Sequence, residues 1–142
     1  MKTKNCLLLF VIALFFMSCE GPEGPVGPQG SGTNWKIINL VANKTDWVES
    51  LDENNLRYYS CSFKLPEIDA FIYNEGTTLA YVRNGDFQQV LPYVRHLQDA
   101  NSTWTKTVDY EYSTGTINFY VTNSDFAADP PSGMEFRVVL MW

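Results

Sequence analysis

The stretch Leu56–Leu65, LRYYSCSFKL, alternates without a break: Tyr59, Cys61, Phe63 and Leu65 fall on one side of an extended chain, Tyr58, Ser60, Ser62 and Lys64 on the other. Successive side chains of a strand point to opposite faces, so a period of two assigns one face to a core and the other to water. This is the pattern of a half-buried antiparallel strand, and it separates the segment from both a helix and a strand buried on two sides. The fold then turns on whether the neighbouring segments share the period.

They do. Upstream, NWKIINLVAN gives a strand from Trp35 to Val41, with Trp35, Ile37 and Asn39 on one face and Ile38 and Leu40 on the other. NKTDWVESLDENN reads as a polar connection in which Trp47 plugs one end of the core. Downstream, PEIDAFIYNEG predicts one short helix: Pro66 in the first turn, Glu67 and Asp69 near the positive end, Gly76 beyond the last turn, and Ile68, Phe71 and Ile72 on one face. TTLAYV resumes extended structure, the Asn84-Gly85 pair in RNGD marks a hairpin, and FQQVLPYVRHL is its returning strand, edge or bulged at Pro92 because proline donates no amide hydrogen. STWTKTVDYEY sets Trp104, Val108, Tyr110 and Tyr112 against Thr105, Thr107, Asp109 and Glu111, and STG turns it into TINFYVT, where Ile117, Phe119 and Val121 share a face. The last strand, MEFRVVLMW, alternates from Met134 through Phe136, Val138 and Leu140 to Trp142, and an ending inside a strand predicts a central place for it. Seven strands and one short helix follow. The fold class is all-β, a two-layer antiparallel β-sandwich, immunoglobulin-like or jelly-roll.

The N-terminal part is different. MKTKNCLLLFVIALFFMSC carries Lys2 and Lys4, then twelve apolar residues from Cys6 to Met17, then Ser18 and Cys19. A bilayer-spanning helix takes about 20 residues, so the run reads as a signal peptide over residues 1–18. Its end, FMSC, resembles the lipobox of bacterial lipoproteins. That resemblance implies a diacylglyceryl group on the Cys19 thiol and cleavage before it; the alternative is a secreted protein cleaved near Ser18 with Cys19 as a free thiol. From Cys19 to Gly32, glycine recurs at positions 21, 24, 27 and 30. Glycine every third residue is what a collagen triple helix needs at its axis, but four triplets with no proline in the third slot read as a tether. Extended, twelve such residues reach roughly 37 Å at about 3.1 Å each. Residues 33–142 form the β domain.

Cys61 is then the one cysteine of the folded part, so no disulfide forms within it and the apolar core must hold it together. After removal of the leader, eight Lys and Arg face sixteen Asp and Glu, a net charge of −8 that disfavours nucleic acid and anionic lipid surfaces as ligands.

Considered together, CEGPEGPVGPQG, YYSCSFKLPEIDAFIYNEGTTLAYV, LPYVRHL, TINFYVTNSDF and the terminal FRVVLMW make the whole chain resemble a family of collagen-like-repeat lipoproteins of gut-dwelling Gram-negative bacteria. The resemblance implies a fold and an address and carries over no functional residues; Arg95 and Arg137 fit its pattern and are read as structural. It implies attachment to the outer membrane through the N-terminal lipid, with the cell surface favoured over the periplasmic face because Glu20 and Glu23 resemble an export signal.

Catalytic constellations are sparse. His96 is the one histidine, and no G-x-S-x-G turn is present; a Cys61–His96 pair would be needed for nucleophilic catalysis. Asp109 and Glu111 have about the spacing of a glycosidase pair but sit among threonines and Lys106 on what reads as a wet face. One histidine and one cysteine do not make a zinc site. The loop with Asn123, Ser124, Asp125 and Asp129 is the place for calcium if there is one. The expectation is no enzyme, no metal and no cofactor. Aromatic faces offer large contact area at low conformational cost, and Tyr58, Tyr93 and Tyr120, on faces that otherwise read polar, are the candidates for binding a glycan, a peptide or an envelope protein. The rival expectation is a trimeric, collagen-stalked, adhesin-like head rather than a monomer.

Overall fold

A strand with one apolar face has to lay that face against another such surface, and the alternation in this sequence is satisfied by two stacked layers. The computed structural model describes residues 32–142; the signal peptide, Cys19 and the glycine repeat lie outside the described residues. In chain order the elements are β1 (Trp35–Ala42), a 3-10 turn (Lys44–Asp46), β2 (Val48–Leu51), β3 (Arg57–Leu65), α1 (Ala70–Glu75), β4 (Thr77–Asn84), β5 (Phe87–Val90), β6 (Tyr93–Gln98), β7 (Thr103–Ser113), β8 (Gly115–Asn123) and β9 (Met134–Met141). They pair into a four-stranded antiparallel sheet, β1-β9-β4-β5, and a five-stranded one, β2-β3-β8-β7-β6. This is the expected β-sandwich, with the last strand central in its sheet. Its order is not that of an immunoglobulin domain, where the first two strands are neighbours. Here the first strand lies beside the last, and β3 lies beside β8.

The layers meet on aromatic rings. Phe119 of β8 and Phe136 of β9, each 0% exposed, stack with centroids 3.8 Å apart and planes 9° apart. Phe63 and Tyr110 pack on Phe119 from their own sheet, and Trp47 meets Phe136 edge-on at 6.4 Å. A hydrogen bond also crosses the layers, from the Tyr110 hydroxyl to the Thr78 carbonyl at 2.9 Å.

Four local expectations are corrected. The polar connection after β1 contains a strand, β2, which adds to the edge of the larger sheet with Val48 and Leu51 exposed. The segment 87–97 is two strands: Val90 pairs with Tyr81 in one sheet and Tyr93 with Val108 in the other. Leu91 and Pro92 carry the chain from one sheet to the other, with Leu91 buried in the core. Helix α1 begins after Asp69, whose carboxylate accepts from the Ile72 amide at 2.8 Å, and not at Pro66. Ile68 and Ile72 are buried while Phe71 is exposed. Finally, the β4–β5 hairpin turns on Gly85-Asp86, one residue later than expected, since Asn84 already pairs with Phe87 and Gly85 has φ +60°. Gly76 is where the helix ends, and its need for glycine is steric: a Cβ there would lie 2.8 Å from the Met141 carbonyl and 2.9 Å from that of Ile72.

Truncating the ring stack should cost most. Phe119→Ala is expected to lower unfolding free energy by about 3–5 kcal/mol, and Phe87→Ala, at a side chain 80% exposed, by under about 0.5 kcal/mol; urea denaturation monitored by tryptophan fluorescence compares them.

Candidate functional site

The outer face of the five-stranded sheet is the surface that the polar half of each alternating strand creates. Ser60, Tyr120 and Asp109 lie opposite one another across β3, β8 and β7. Tyr58, two residues along from Ser60, sits diagonally to Tyr120, within reach for long side chains. Their rings lie 6.0 Å apart at 56°. Beside them is an open hollow of 430 Å³, lined among others by Asp52, Leu56, Tyr58, Asp109, Tyr120 and Phe126.

The rim is held by hydrogen bonds. Asp52 accepts from the amides of Asn54 and Leu56, each at 2.8 Å, which fixes the turn that presents Leu56. Arg57 donates to Glu49 and to the Phe126 carbonyl, each at 2.9 Å, tying β3 to β2 and to the loop after β8.

The two carboxylates on this face differ. Glu111 accepts from the Tyr120 hydroxyl and, at 3.1 Å, from the Asn118 amide, and these bonds hold its carboxyl below the usual range. Burial, followed by the bond to Glu111, pushes the Tyr120 phenol up to about 12. Asp109 has one buried carboxylate oxygen with no protein partner among the described residues. Burial, and then the Glu111 charge, raises its carboxyl above the ordinary value. The hollow thus offers two ring surfaces and the Asp109 carboxyl, while Glu111, outside its lining, holds the Tyr120 hydroxyl.

The structure brings Tyr58 and Tyr120 together and places Tyr93 elsewhere. Tyr93 pairs with the buried Val108, so it faces inward and packs against the core. It lines a different cavity, between the sheets. Lys106 belongs there too: it shares the inward face with Val108 and Tyr110, not the wet face with the threonines. Its neighbours in sequence gave no sign of this, although its even position in the alternation did.

Cys61 is buried on the inner face of β3, where burial raises its thiol. His96 is exposed on β6, three strands away in the order β3-β8-β7-β6, roughly 14 Å at the usual strand spacing. The two do not form a nucleophile–base pair. In the loop after β8, the Ser124 hydroxyl accepts from the Thr105 amide at 2.9 Å and Asp125 from the Ala127 amide at 3.3 Å. Among the described residues no three His, Cys, Asp or Glu side chains gather as metal ligands, and no helix is long and apolar enough to cross a membrane.

Comparison of the chain with family models, with curated proteins and with solved structures found no match.

The environment of Asp109 makes a pH-dependent prediction. A carboxyl whose folded pKa is raised favours the native state only while protonated, so its ionisation costs stability as pH rises from the unfolded value through the folded one. Asp109→Asn is therefore expected to stabilise the protein at neutral pH, by about 0.5–1 kcal/mol, and the gain should vanish near pH 3, roughly, where aspartate is protonated in both states. Denaturant midpoints of the two proteins at both pH values test this.

Proposed function

We propose that this chain is a lipid-anchored envelope protein that presents its β-sandwich as a non-enzymatic binding head, with a glycan as the ligand of the outer-face hollow. The anchor is the Cys19 thiol, and the Gly-Pro tether holds the head clear of the lipid. The lipobox-like FMSC and the resemblance to collagen-like-repeat lipoproteins support attachment to the outer membrane; Glu20 and Glu23 favour the cell surface over the periplasmic face.

The observation that carries the ligand class is the Tyr58–Tyr120 ring pair beside the Asp109 carboxyl on the wall of the hollow. A sugar presents C–H surfaces that pack on aromatic rings and hydroxyls that donate to carboxylates. The open hollow suits a chain that passes across it, whereas an apolar pocket for a peptide side chain would be more enclosed. Binding rather than catalysis is supported by the separation of Cys61 from His96. The fixed bonds of Glu111 to Tyr120 and Asn118 support it too, because they leave that carboxylate positioned by its neighbours rather than facing a reacting bond.

The test is titration of the full-length chain, in detergent, with neutral oligosaccharides of defined linkage, followed by calorimetry. A saccharide that binds should lose about five- to tenfold in affinity with Tyr58→Ala and with Tyr120→Ala. Binding that neither substitution weakens, or the absence of binding across the panel, would overturn the assignment.

A further inference from the structure

A second cavity opens between the two sheets, at the side where Leu91 and Pro92 cross over. Strands β5 and β6 are edges of their respective sheets, and they diverge from the crossover, so the layers are not closed over one another there. The space measures 720 Å³. On the side of the smaller sheet it is lined by Asn84, Phe87 and Gln89, and on the side of the larger one by Tyr93, Arg95 and Lys106.

Arg95 and Lys106 are directly opposed on β6 and β7. Like charges in that register repel and weaken the strand pair, so they are unexpected in a domain with an excess of acids. Neither takes part in the ion pairs of the described residues, which join Lys36 to Glu67, Arg57 to Glu49 and Arg83 to Glu135. Arg83, also on the wall, is therefore engaged, while the other two cations face the cavity unneutralised. Lys106 stands on the inward face and is half-buried. Burial lowers its ammonium below the usual lysine value, the Asp129 carboxylate acts in the opposite sense from beyond ion-pair distance, and Arg95 adds to the lowering. A bound anion would relieve the repulsion and restore the charge.

We propose that this inter-sheet cleft is a second binding site, for a saccharide that carries a carboxylate. Arg95 and Lys106 hold the carboxylate, the guanidinium by its fork of donors and the ammonium as a compact charge. The side-chain amides of Asn84 and Gln89 serve both as donors and acceptors, matching hydroxyls. The ring faces of Phe87, 80% exposed, and Tyr93 cover C–H surface. The three side-chain amides on the wall, Asn84, Gln88 and Gln89, favour the hydroxyls of a sugar over an acidic peptide, which has few groups to pair with them. The site is distinct from the hollow at Tyr58 and Tyr120, which lies on the opposite face of the larger sheet.

Full-length chain carrying Tyr58→Ala and Tyr120→Ala, which removes the rings of the outer-face hollow, is titrated calorimetrically in detergent with a trimer of galacturonic acid, with maltotriose as a neutral trisaccharide and with a short poly-glutamate peptide. The expected result is binding of the acidic trimer, at least tenfold weaker binding of the neutral one, and weakening as salt is raised. Lys106→Gln and Arg95→Gln should each lower affinity for the acidic trimer by about tenfold, and Lys106→Arg should retain most of it. Failure of the acidic trimer to bind would overturn the proposal. So would equal binding of the neutral trimer, preference for the peptide, or binding that Lys106→Gln and Arg95→Gln leave unchanged.

Discussion

The contact between Phe119 and Phe136 is the constraint on which the rest of the domain depends. With centroids 3.8 Å apart and no exposure to solvent, the two rings stack directly across the two sheets. Trp47 packs on Phe136, Phe63 and Tyr110 pack on Phe119, and the hydrogen bond from Tyr110 to Thr78 crosses the gap beside them. With no disulfide in the folded part, this apolar packing has to outweigh the conformational entropy of about 110 residues. Residues near the stack are therefore not free to serve a ligand, and any function must lie on the outer faces or at the open edge.

Those surfaces are where the polar and charged departures from good packing collect. Asp109 keeps a carboxylate oxygen without a partner, and Arg95 and Lys106 stand opposite each other without a counter-ion among the described residues. Both arrangements cost the isolated domain stability, and the second would be relieved by a bound carboxylate. The two sites share no wall residue, so they can be occupied independently.

The period of two carried most of the fold. β3, β8 and β9 have inward residues that are strongly apolar and buried, and their faces could be read directly from the letters. β2 could not be, because Val48 and Leu51 on this short edge strand are exposed and give no contrast between faces. The division of residues 87–97 between sheets was hidden for a different reason: alternation assigns a face but not a partner strand, and Tyr93 keeps its parity through the crossover. Phe71 departs from the expected face because Ile68 lies before the helix, so no helical face joins the two; within Ala70–Glu75 Ile72 is buried and Phe71 exposed. The outer-face hollow was half legible. Tyr58 and Tyr120 lie on alternating faces that read as polar, but their proximity depends on the β3–β8 register, which only the paired strands reveal. Lys106 has threonines on both sides in sequence, yet its even position in the alternation places it inward.

The most direct measurement is amide chemical-shift mapping by NMR, on isotope-labelled full-length chain in micelles, during titration with a bound neutral oligosaccharide. Recognition of a glycan by the outer face predicts the largest changes at Tyr58, Ser60, Asp109 and Tyr120, falling off along β3, β7 and β8 away from them. Changes centred on the four-stranded sheet, with these four positions unmoved, would contradict it.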